Sequence, residues 1–137
     1  ALGCQGAWSG SQWLMVEEAE NTAVQQQAYA AASSRDTVRS RSFTGKPCRM
    51  LKNDWTRAWE TPGNPEPLGM PLQYMVSGMA VAATRRYPER TVDVAFNPVG
   101  QVVGQLHAVE RTSAVIERWV REYLDACGRL EALNDVG

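Results

Sequence analysis

Between Gly6 and Gly10 the chain reads Gly-Ala-Trp-Ser-Gly, a short run of small and apolar residues of the kind that forms a buried parallel strand ending at a ligand. Such a strand needs neighbours on both sides, yet downstream there are several helical patterns and only one or two further short strands. A closed parallel sheet cannot be assembled from these pieces alone. The chain is therefore expected to be the C-terminal part of a longer protein, an expectation strengthened by its opening on Ala rather than Met. The expected fold class is α/β, with this piece itself mostly α.

The turn that follows, Trp8-Ser9-Gly10-Ser11, is marked by glycine. Backbone N–H groups hold a phosphate best where no side chain blocks their approach. Gly10 clears that space, and Ser11 offers both an N–H and a hydroxyl. From the residues alone the turn either simply redirects the chain or cradles a phosphate.

Further along, acidic Glu17, Glu18 and Glu20 lead an Ala/Gln-rich run that predicts a helix over 17–32. Thr37 to Phe43 alternates like a short strand, and Thr44-Gly45-Lys46-Pro47 turns it. Met50, Leu51, Trp55, Ala58 and Trp59 have helical spacing, which predicts a helix over 48–59. Three prolines and two glycines between Thr61 and Gly69 exclude helix and central strand, leaving a stiff loop. Pro71 opens the next helix, carried by Leu72, Met75, Val76, Met79, Ala80 and Ala83 to about Arg86 before Pro88. Thr91 to Asn97 reads as strand or loop. Val99 to Gly104 is a second small-residue segment. From Ser113, residues Ile116, Trp119, Val120, Tyr123, Leu124 and Cys127 mark one face of a final amphipathic helix, which Gly128 should fray or end.

Composition narrows the function classes. With 137 residues, 44% of them hydrophobic, the chain can bury a core. A formal net charge of −1, with the basic residues between Arg35 and Arg41 and at Arg85-Arg86 unaccompanied by any nucleic-acid motif, reads as solvated surface. No nucleic-acid or membrane partner is expected: there is no bilayer-length apolar run and no signal-peptide pattern. Cys4, Cys48 and Cys127 are scattered, with no metal-like spacing to one another or to His107, so no metal site is expected. Such cysteine usage points to a reducing, cytoplasmic setting.

Three blocks now stand in order: Ala1-Leu2-Gly3 through Gly6-Ala7-Trp8-Ser9-Gly10-Ser11; Asp36-Thr37-Val38 with Ser42-Phe43-Thr44-Gly45-Lys46-Pro47-Cys48-Arg49; and Val99-Gly100-Gln101-Val102-Val103-Gly104. Together they resemble the nitronate monooxygenase (2-nitropropane dioxygenase) family, FMN enzymes related to flavin-dependent enoyl-acyl-carrier-protein reductases. The resemblance covers essentially the whole chain, as the family's C-terminal part. It implies a TIM (βα)8 barrel with a largely helical small domain, and FMN at the C-terminal mouth of the barrel, in keeping with the general placing of phosphate sites in that fold. Residues 1–34 would then be the last strand-helix unit with its phosphate turn, 35–97 the small substrate domain, and 98–137 a return segment whose helix packs on the barrel.

The implied cofactor is FMN, bound through Gly10 and Ser11. The implied reaction is oxidation of a small nitronate-type substrate with electrons passing through flavin to molecular oxygen. An enoyl reductase-like relative is the second enzymatic reading, and a non-catalytic helical interaction module is the third. Gln12-Trp13 stands where the family commonly has Arg-Phe, so only backbone contacts carry over there. The family's catalytic histidine would lie upstream, and no catalytic residue is assigned within this chain.

His107 is read as a surface or helix-flanking residue, not a base. The amide of Gln101, framed by Gly100 and Val102, either faces a flavin edge or substrate oxygen or bonds the backbone. Trp119 is expected in the core. Trp55 and Trp59, four apart, either pack between domains or wall an apolar channel. Met70, Met75 and Met79 are expected as core filler. Cys48, beside Arg49, reads as inert in the absence of a base, although that neighbour would lower its pKa.

Overall fold

The structure, a computed structural model, describes residues 4–134. Ala1-Leu2-Gly3, the start of the first block, lies outside them. Two strands and four α-helices, joined by short 3-10 turns, make up the described residues. Strand β1 (Thr37–Ser40) pairs antiparallel with β2 (Cys48–Leu51) in the register Thr37↔Leu51 to Ser40↔Cys48. The helices are α1 (Ala23–Ala31), α2 (Asp54–Glu60), α3 (Leu72–Arg86) and α4 (Thr112–Asn134).

Residues 6–10 correct the first expectation: they form no strand, and all but half-buried Ser9 are exposed. Without parallel neighbours the segment has nothing to pair its backbone with. The predicted 17–32 helix begins late, at Ala23. Thr22 caps it by accepting from the Gln25 N–H at 3.2 Å while Gln25 Oε1 accepts from the Thr22 N–H, a reciprocal box that sets the start whatever the acidic residues before it. The predicted 48–59 helix divides. Met50 and Leu51 belong to β2, where Leu51 N–H donates to Asn97 O and Val99 N–H donates to Arg49 O, so residues 97–99 lie along its far edge. The helix begins only at Asp54, because Asn53 Oδ1 accepts from Thr56 N–H at 3.0 Å. At the other end α4 continues through Gly128, which neither ends nor breaks it.

Two apolar clusters hold the chain. One joins Met15, Tyr29, Ala32, Leu51, Val99, Val103 and Leu106. The other, Phe43, Met50 and Val81 with Trp55 and Phe96 against them, contains two ring pairs at 5.1 and 4.5 Å, Phe43–Trp55 and Phe43–Phe96. Trp55 is thus a packing residue, although its buried Nε1 has no hydrogen-bond partner among the described residues.

Helix α3 is oriented against its own amphipathicity. Gln73 and Ser77 are fully buried, Gln73 Nε2 donating to Ser42 O at 2.6 Å and Ser77 Oγ donating to Phe43 O. Gln73 Oε1 also accepts from Leu68 N–H at 3.0 Å, so the glutamine ties two loops together. The outward face carries Leu72, Met75, Val76 and Met79, the last 85% exposed. Met70, Met75 and Met79 are therefore surface residues and not core filler, because the hydrogen-bonding demand of the 41–47 turn takes the inner face. That turn depends on Gly45: its φ is +80°, and a Cβ there would stand 2.6 Å from Leu68 O and Met70 N.

Candidate functional site

The turn at Gly10 and the segment at Gly100, separated by most of the chain, meet. Ser11 opens a 3-10 turn, Ser11–Met15, with Trp13 N–H donating to Gly10 O at 3.2 Å. Gly100 precedes another, Gln101–Gln105, with Val103 N–H donating to Gly100 O at 3.1 Å. Fully buried Met15 and Val103 draw the two turns onto the same core. Gly104 lets the second approach its neighbour, since a Cβ there would lie 2.8 Å from the Ser34 backbone nitrogen. At the junction Ser11 Oγ accepts from the Gly100 N–H at 2.9 Å.

Around this junction the predicted site residues are arranged unequally. A Cβ on Gly10 would meet nothing within 4 Å, and its φ of −113° is ordinary, so no feature of the fold demands glycine there. The N–H groups of Ser11 and Gln12, at the start of their turn, find no acceptor among the described residues. Gln101 is exposed and its side chain makes no hydrogen bond among the described residues, so the backbone-bonding alternative is not realised.

The start of α4 is fastened beside the same turn. The Glu18 carboxylate accepts from Thr112 Oγ1 and N–H at 2.7 and 3.0 Å, which holds its pKa below the usual carboxylate range. Glu110 pairs with Arg118, Val16 bridges to Glu110, and Trp119 packs on Trp13 with ring centroids 5.1 Å apart. Trp119 remains 36% exposed, so it belongs to this contact and not to a core. Exposed His107 lines a cavity of about 410 Å³ with Gln12, Gln105, Glu110, Arg118 and Trp119. The sequence reading singles out neither Glu110 nor Arg118, a pair eight residues apart that spans the start of α4 and matches none of the three- or four-residue spacings of a helix face. Burial pushes the Cys48 thiol up, the reverse of activation by Arg49. No cluster of three or more metal-ligating side chains occurs among the described residues, and no helix among them is long and apolar enough to cross a membrane.

No protein-family model matches the chain. It is similar to part of a monooxygenase-named protein. That relative, "Putative monooxygenase Rv1533" of Mycobacterium tuberculosis, is 44% identical over 137 residues, covering 97% of this chain and 36% of the relative. The chain thus spans about a third of the relative's length. In structure it resembles FabK from Thermotoga maritima, with a TM-score of 0.64 at 21% identity over 90% of this chain and 38% of that one. A methionine variant of the same FabK gives 0.59 at 21% identity, covering 90% of this chain and 34% of that one. At such identity the likeness is one of fold, and it reaches nearly the whole chain.

Proposed function

We propose that these residues are the C-terminal part of an FMN-dependent oxidoreductase of the nitronate monooxygenase kind, with 1–34 completing a TIM barrel, 35–97 forming the small substrate domain and 98–137 returning to the barrel. The observation that carries the reading is the hydrogen bond from Gly100 to Ser11. It joins two segments singled out separately, one for a phosphate and one for a flavin edge or substrate oxygen. The relative's monooxygenase name and the fold shared with FabK support the same reading.

The residues present fit one side of a phosphate cradle: unbonded N–H groups at Ser11 and Gln12, and open space where Gly10 lacks a side chain. Gly10 and Ser11 would hold the FMN phosphate through backbone N–H groups, and bound FMN supplies the two-electron chemistry that no side chain can. Gln101, beside them and free of internal bonds, presents both a donor and an acceptor to a substrate oxygen. The base that takes the substrate proton belongs, on this reading, to residues upstream of Ala1.

The full-length polypeptide is expected to be isolated with flavin and to consume oxygen with a small nitronate. Gln101→Ala should alter kcat/KM at least tenfold while leaving flavin content unchanged. Oxidation of NAD(P)H with an enoyl thioester, in place of oxygen uptake, would assign the reductase-like alternative. Absence of flavin from a stable full-length protein would assign the interaction module.

A further inference from the structure

We infer that the Ser11 side chain is a positioning residue for Gln101, acting through Gly100, and that it is not a principal ligand of the cofactor phosphate. A serine hydroxyl has one proton and two lone pairs. Here Oγ receives the Gly100 N–H at 2.9 Å, and a Cβ added to Gly100 would come within 3.2 Å of that same oxygen. The contact is therefore close from both sides, and a side chain at position 100 would require the Ser11 hydroxyl to give way by a few tenths of an ångström. It is the side-chain hydrogen bond that ties the Gly100 end of the second turn to the first, since Val99, Val103 and Leu106 are otherwise held by apolar contact and by bonds to β2 or within their own turn. Apolar contact is non-directional, so Gly100 is placed against the first turn by two directional bonds, the Val99 N–H to Arg49 O just before it and its own N–H to Ser11 Oγ. The Gln101 side chain makes no hydrogen bond among the described residues, so its direction is set by the backbone that follows directly on Gly100.

This rests on the reading of Gln101 as a substrate-side residue, and the two are separable by experiment. Amide exchange at Gly100, measured by NMR on the full chain and referred in each variant to the Leu51 amide that bonds Asn97 O, reads the tie directly. Ser11→Ala, and the near-isosteric Ser11→Cys with its weak acceptor, should lower the Gly100-to-Leu51 protection ratio about tenfold, the value of one lost hydrogen bond. Ser11→Thr should restore it. An unchanged ratio in Ser11→Cys or Ser11→Ala overturns the inference, and so does a Ser11→Thr variant as unprotected as Ser11→Ala. In the full-length protein Ser11→Ala should lower kcat/KM non-additively with Gln101→Ala while flavin content is retained. Lost flavin with an unchanged exchange ratio would return Ser11 to the cofactor. A lowered ratio with unchanged kinetics would leave the tie standing and remove Gln101 from the substrate site.

Discussion

The segment from Thr37 to Arg86 and the helix that closes the chain treat their surroundings in opposite ways. In the first, the 41–47 turn gives its carbonyls to Gln73 and Ser77 of α3, and Phe43 beneath it packs on Trp55, Phe96 and Met50. In the second, only Val115 of 23 residues in α4 is buried. The rest of that helix leaves Val120, Tyr123, Leu124, Leu130 and Leu133 between 51% and 73% exposed. Both α3 and α4 carry an outward apolar face, so apolar exposure alone does not separate them. What separates them is anchorage: α3 is tied by buried Gln73 and Ser77 in its first half and by Val81 in the Phe43 cluster beyond them, α4 by its first two turns alone, through Glu18, Glu110 and Trp13. The middle of the chain is thus held into the rest on several sides, whereas α4, fastened only at its start, has a long face suited to a surface beyond these residues.

The largest effect is expected at Gly45. Gly45→Ala puts a Cβ into the Leu68–Met70 backbone at a positive φ, and should destabilise the chain by roughly 3 kcal/mol or more in chemical denaturation. A loss below about 1 kcal/mol would mean that the turn relaxes freely and does not organise the middle. Next in size is Gln73→Leu, which strands Ser42 O in the interior and takes the acceptor from the Leu68 N–H nearer the surface. The expected cost is about 2–3 kcal/mol by the same measurement. Smallest is Leu133→Ser near the end of α4, expected to change the stability of this chain by less than about 0.5 kcal/mol. In the full-length polypeptide the same substitution should cost about 1–2 kcal/mol if α4 packs on the barrel, so the difference between the two measurements reports what covers the helix.

Helix α3 was legible because local signals agreed: a proline-rich loop before it, Pro71 at its start, Pro88 beyond its end, and between them a helically spaced apolar run closed by Arg85 and Arg86 in the last turn. Its orientation was not, for periodicity tells which residues share a face but not which face turns inward. Strand β2 was hidden for a related reason. Met50 and Leu51 fit a helical spacing with Trp55, and only long-range pairing with Thr37 and Val38 makes them a strand. The candidate site was half legible. Gly10, Ser11 and Gln101 each stood out by residue type, but the bond that brings their segments together spans 89 positions, beyond any local pattern.

Whether the turn at Gly10 serves a cofactor phosphate is decided by Gly10→Val in the full-length polypeptide, read as flavin absorbance per protein. A Cβ at Gly10 meets nothing within 4 Å, so the described residues leave room for the start of the new side chain, which is aimed at what approaches from outside. Wild-type protein is expected to be yellow and the folded Gly10→Val variant to have lost its flavin. A Gly10→Val protein with full flavin occupancy contradicts the phosphate role.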